Sequence, residues 1–229
     1  MDEVAECRGT YSLPLDLPQN TRVDLRLEIP NLAVDEPDAV LIWRGRPTVA
    51  QFEITAPAKA PGTEAIGRIR FAAAGVPAGA LRFKIALAPL GSAAERGVLR
   101  DAEAVRYRRA FVSYSAQDRA EVLRRVQAFR IAGLSVFQDS LDLEPGERWA
   151  RELYREIDEC DVFLLFWSRA AAASEWVAKE IAYALARKAG DEDRPPAIQP
   201  VPIEGPPPTP PPEALRHLHF NDALLAHIH

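Results

Sequence analysis

The chain has 229 residues, 48% of them apolar, and a net charge of −5. That length allows one large domain or two small ones, with enough apolar residues for a packed core. The acidic balance gives no electrostatic footprint for nucleic acid or an anionic membrane surface, and no stretch approaches the ~18–20 apolar residues that span a bilayer.

The first ten residues, MDEVAECRGT, lack the basic start and apolar centre of a signal peptide. The two cysteines, Cys7 and Cys160, are far apart and form no disulfide framework. Both features point to a reducing, cytoplasmic setting.

Residues 1–104 read as a small antiparallel β-sandwich. In TRVDLRLEI, apolar Val23, Leu25, Leu27 and Ile29 alternate with Asp24, Arg26 and Glu28. ALRFKIAL repeats the pattern with Leu81, Phe83, Ile85 and Leu87, and VLIW (40–43), VAQFEI (49–54) and IGRIRF (66–71) lie between them. Segments of period 2 separated by Pro and Gly predict half-buried strands. No catalytic constellation is visible here, so the acidic residues read as solvated strand faces and turns. Asp101–Arg108 reads as a linker or short helix.

Residues 105–229 change pattern. AFVSY (110–114) is a short apolar strand, and Ser115 with Asp118 fits a capping box opening a helix that runs to about Ala132. Gly133 fits the C-cap, and LSVFQD (134–139) is a second strand. SLDLEPGE (140–147) is a loop, followed by a helix with Trp149, Leu153 and Ile157 on one stripe. DVFLLFWS (161–168) has no alternation, as expected of a parallel strand covered on both faces. SEWVAKEIAYAL (174–185) is a helix, and IQPVPI (198–203) is a strand that Pro200 and Pro202 push to a sheet edge. A proline run (206–212) and a terminal helix (213–228) follow. Strands alternating with helices predict a doubly wound parallel sheet, whose ligands sit beyond the C-terminal strand ends. That directs attention to Ser113-Tyr114-Ser115, Asp139 and Trp167-Ser168.

Several motifs are absent. There is no G-x-G-x-x-G, no Walker phosphate loop and no G-x-S-x-G elbow. All four histidines lie between His217 and His229. Their i, i+2 spacing without nearby cysteine favours surface residues over a metal site. A nucleophile activated by His is therefore disfavoured.

Five segments together resemble a TIR (Toll/interleukin receptor) domain: AFVSYSAQD, LSVFQDSLDLEPGERW, DVFLLFWS, SEWVAKEIAYAL and IQPVPIEG with the later His219-Phe220-Asn221-Asp222. The resemblance implies a flavodoxin-like fold, a BB loop at 140–147 and, through Trp-x-x-x-Glu at Trp176 and Glu180, the branch that cleaves NAD+. Leu141-Asp142 stands where animal adaptors carry Arg-Asp, which implies the bacterial kind. Glu180 is then the catalytic carboxylate. Trp176, Tyr114, Ser115, Trp149 and Asp139 are implied as substrate-binding positions.

NAD+ is implied as substrate, with no further cofactor and no metal. The implied setting is antiphage or stress defence, with self-association through the BB loop and possibly through residues 1–104 switching the activity on. By itself, a Glu beside Lys179 on a helix is usually a solvated charge. Two other readings therefore stand beside the hydrolase: a non-catalytic TIR interaction module, and a base-exchange transferase.

Overall fold

The computed structural model describes residues 7–8, 16–57, 63–87, 97–98, 100–131, 133–138, 147–191, 194–205, 209–216 and 218. The chain divides into two compact units, Met1–Arg106 and Tyr107–His229.

In the first unit, β1 (Arg22–Glu28), β2 (Asp38–Ile42), β3 (Glu64–Ala73), β4 (Val76–Ala86) and β5 (Arg100–Arg106) form one antiparallel sheet in the order β2-β1-β3-β4-β5. The alternation read from the sequence decides which side is dry. Leu27, Ile29, Leu81, Phe83 and Ile85 are buried on one face. A short ladder, Ala33–Val34 with Ile54–Thr55, brings Val34 and Ile54 against the same core. Of the predicted strand 49–54 only Ile54 lies in this ladder. The other face of the sheet is charged. Arg26 opposes Arg70, and Arg68 opposes Arg82, across the ladders. Arg26 is held by both carboxylate oxygens of Asp38 at 2.8 Å, and Arg70 by Glu28 at 3.2 Å. Gly79 is required by packing, because a Cβ there would run into the Val105 carbonyl and the Phe71 ring.

Asp101–Arg108 is neither linker nor helix over most of its length. Arg100–Arg106 is an edge strand paired with β4. Its alternation was short and rich in Ala, Glu and Arg, residues that favour helices in isolation, and pairing with β4 overrides that preference.

The second unit carries β6 (Arg109–Ser113), β7 (Ser135–Gln138), β8 (Val162–Trp167) and β9 (Ala197–Pro202), all parallel, in the order β7-β6-β8-β9. Helices α1 (Arg119–Ile131), α2 (Glu147–Glu159), α3 (Arg169–Ala172) and α4 (Glu175–Lys188) intervene. Every residue of β8 is buried, as its unbroken apolar run requires. Phe111, Phe163, Leu165 and Trp167 share one face with Leu153 and Ile157 of α2 and Val177, Ile181 and Ala184 of α4. Phe129 of α1 meets Phe166 on the other face. Gly133 takes φ +84°, and Leu134 N–H reaches back to the Phe129 carbonyl, so α1 ends on a left-handed glycine as predicted.

Two expectations change. Ser115 does not form a capping box with Asp118; residues Ala116–Asp118 make a 3-10 turn before α1, with the Ser115 hydroxyl accepting from Gln117 N–H at 3.4 Å. At the C-terminus, Glu213–Leu215 is a 3-10 turn whose Leu215 is fully buried, whereas 217 and 219–229, with all four histidines, lie outside the described residues. Among the described residues β9 lies at one margin of the sheet, where its prolines are tolerated. Ala197 and Ile203 N–H donate toward the β8 side, to Asp161 and Trp167 carbonyls. No helix among the described residues is long and apolar enough to cross a membrane.

Candidate active site

The order β7-β6-β8-β9 places the topological switch point between β6 and β8. Strand β6 is followed by a connection to β7 on one side, and the next strand, β8, pairs on the other. In doubly wound sheets ligands are received beyond the C-terminal strand ends at such a point.

Strand parity decides where the last side chains of β6 point. Phe111 points into the core shared with α4, so Ser113, one pleat further, points the same way. It is fully buried and donates a 2.5 Å hydrogen bond to a carboxylate oxygen of Glu180. That length is typical of an O–H···O⁻ bond. Glu180 is 5% exposed. The helix pattern predicts a half-enclosed position, since Val177, Ile181 and Ala184 define the inward stripe and Glu180 lies on its flank. Burial is deeper because the end of β6 covers that flank. A charged side chain on a core-facing position, tied to a buried serine, is not a solvated surface charge.

Tyr114 and Ser115 follow Ser113 directly and are both 7% exposed. Trp176, one turn before Glu180, is half-buried, with Lys179 Nζ 4.8 Å above its ring. Tyr183, one turn after Glu180, reaches toward α2, stacking on Tyr154 at 4.3 Å and donating to Asp158 at 2.9 Å. Asp139, loop residues 140–146 and the side chain of Trp149 lie outside the described residues.

A second serine–carboxylate pair stands at the end of β8. Ser168 is fully buried, donates to Asp118 at 2.6 Å and accepts from Ala171 N–H at 2.9 Å, which caps α3. Burial pushes the Asp118 carboxyl above its ordinary value; the Ser168 hydrogen bond opposes this and the charge of Glu204 adds to it. Glu204 in turn accepts from Arg169 N–H at 2.9 Å and Thr209 at 3.1 Å. Trp167 Nε1–H donates to the Thr209 and Pro210 carbonyls, so the segment after β9 is pinned beside these strand ends. The strand-end argument directs attention to Ser113 and Ser168 without giving either a partner or a role, and Asp118 reads from sequence only as a capping residue. Strand parity would have turned Ser113 toward the core.

Cys160 is buried and its thiol is pushed up to about 12, chiefly by burial, so it is no nucleophile. Among the described residues no group of three or more His, Cys, Asp or Glu is placed to hold a metal ion. A small hollow lined by Arg109, Ser135, Phe137, Glu156 and Cys160 lies at the opposite ends of the strands, away from Glu180.

A family model described as the TIR domain matches residues 110–226. No curated protein matches the chain.

Proposed function

The chain belongs to the TIR domain family, and from that premise we propose that it is an NAD+ glycohydrolase with Glu180 as its catalytic carboxylate. The observation that carries this reading is the burial of Glu180 on a 2.5 Å bond from Ser113 at the end of β6, where a doubly wound sheet receives its ligand.

The chemistry needs little more. The bond between the ribose C1′ and the pyridinium nitrogen breaks with both electrons going to nitrogen, so nicotinamide leaves neutral. Unlike an oxygen leaving group, it requires no general acid. Positive charge grows on the ribose, and a carboxylate beside it stabilises that charge and accepts hydrogen bonds from the ribose hydroxyls. Water then adds at C1′ and releases a proton, giving ADP-ribose; attack by an internal nucleophile of the adenine gives a cyclic product instead. The low local dielectric around a buried carboxylate strengthens its effect. Ser113 fixes the orientation of Glu180. In this reading Tyr114 and Ser115 contact the nicotinamide end, Trp176 forms a flat wall near Glu180, and Trp149 and Asp139 keep the substrate-binding roles the family resemblance gives them.

An activity that destroys NAD+ calls for restraint, which supports activation by assembly through the BB loop (140–147) and residues 1–104, in a cytoplasmic defence role. Release of nicotinamide from NAD+ by the purified chain, measured across protein concentrations, tests both parts. The expected result is release that rises faster than linearly with concentration and disappears in Glu180→Gln. Equal release by wild type and variant overturns the role of Glu180. Absence of release at every concentration returns the protein to the non-catalytic interaction modules of its family, and exchange of free pyridine without net hydrolysis makes it a transferase.

A further inference from the structure

Two carboxylates stand at the ends of the two strands flanking the switch point. Glu180 is bonded to Ser113 of β6, and Asp118 to Ser168 just past β8; both serines are fully buried. Only the first pair has a part in the reaction above. We propose that Asp118 is a positioning residue, clamping the β6–α1 turn to the β8–α3 junction and so holding Glu180 and the residues after Ser113 in register. This inference rests on the NAD+-cleaving reading.

The connections form a closed ring. Asp118 N–H donates to the Ser115 carbonyl at 2.8 Å, so the hold on Ser168 is passed back to Ser115 and, two residues on, to Ser113. From Ser168 the path runs through its bond to Ala171 N–H, then from Ser174 N–H to the Ala171 carbonyl at 3.1 Å. The Ser174 hydroxyl caps α4 by accepting from Val177 N–H at 3.3 Å, and α4 carries Glu180 back to Ser113. Cutting the Asp118–Ser168 bond opens the ring on the side remote from Glu180 and leaves the apolar core of α4 untouched. A partly buried carboxylate near Glu204 is also a poor choice for stability alone, where an amide would accept the same bond with no charge to desolvate. Residues that break local economy in this way are expected at functional sites.

The test uses the full chain, with kcat and KM for NAD+ measured per folded molecule in Asp118→Ala, Asp118→Asn and Ser168→Ala. Misplacing reacting groups by fractions of an ångström to 1 Å costs up to about a hundredfold in rate, so Asp118→Ala is expected to lose roughly ten- to a hundredfold in kcat. Asp118→Asn, whose amide oxygen still accepts from Ser168, retains most of the rate. Ser168→Ala removes the same bond from the other side, together with the cap on Ala171 N–H, and a loss at least as large is expected there if Asp118→Ala does not fold. Combining the two alanine changes adds little to either, as for partners in one interaction. Amide exchange at Ala171 and Asp118 accelerates in Asp118→Ala, while exchange in α4 does not. Wild-type kcat in both alanine variants overturns the clamp, as does an equal loss in Asp118→Asn, which assigns the effect to charge. If the wild type itself releases no nicotinamide, the catalytic reading falls; if it does and the alanine variants match it, only the clamp falls.

Discussion

The five-stranded and four-stranded sheets treat polar residues in opposite ways. In the first, charge lies on one face among exposed Val40, Ile42, Ile66 and Val105: arginines oppose arginines across the ladders, and acidic neighbours such as Asp38 and Glu28 pair with them. In the second, both faces are apolar, and the buried serines Ser113 and Ser168 with Glu180 gather at one end of the central strands. Charge scattered along a face and paired across neighbouring strands marks a solvent boundary. Polar groups forced into a dry region and concentrated at one edge mark a place where chemistry is prepared.

The sharpest way to break this contrast is kinetic. Glu180→Gln is expected to reduce nicotinamide release by about 10²–10³-fold, the loss typical of removing one electrostatic stabiliser. Arg26→Ala on the charged face should leave the rate per folded molecule unchanged. A similar loss from both would erase the distinction. In denaturant unfolding, Phe163→Ala, which empties a fully buried position, is expected to cost about 3–5 kcal/mol.

Asp38→Asn should act far more weakly. It removes the charge and one of the two oxygens that Arg26 contacts, at a side chain that is 58% exposed, so a cost of about 1 kcal/mol or less, shrinking with added salt, is expected. A loss as large as that of Phe163→Ala would show that the charged face is load-carrying after all. The smallest effect separates the two ends of one bond by pH. Because the folded state holds the Asp118 carboxyl above its ordinary value, it binds more protons there than the unfolded chain does. Stability from this group is therefore present at low pH and lost as pH rises through the window above the ordinary carboxylate value. Asp118→Asn should flatten that dependence, so the denaturation midpoints of variant and wild type converge on acidification. The opposite trend would show a carboxylate stabilised in its charged form.

Much of the fold is written in periodicity. Alternation in TRVDLRLEI and ALRFKIAL fixes which side of the first sheet is dry, and the unbroken VFLLFW fixes a strand covered on both faces. Glu180 was legible through its spacing from Trp176 and the family pattern, but its depth was not, because burial of a flank position depends on what the end of β6 lays over it. Asp118 was misread for a related reason. Its place three residues after Ser115 is right for a capping box, yet its side chain reaches across to Ser168, fifty residues away in the chain, and a local spacing rule carries no information about such a partner. Arg100–Arg106 failed through propensity: Ala, Glu and Arg favour a helix until a neighbouring strand offers a ladder.

The prolines of β9 have a consequence for how copies of this chain meet. Along that strand the odd-numbered amides turn inward, so Ile198, Pro200 and Pro202 occupy the outward register, and two of these three have no hydrogen to give. A newcomer aligning itself along the described part of this border would meet no donor at Pro200 or Pro202. Strand addition there is thus disfavoured relative to Ser135–Gln138, the opposite margin of the sheet among the described residues.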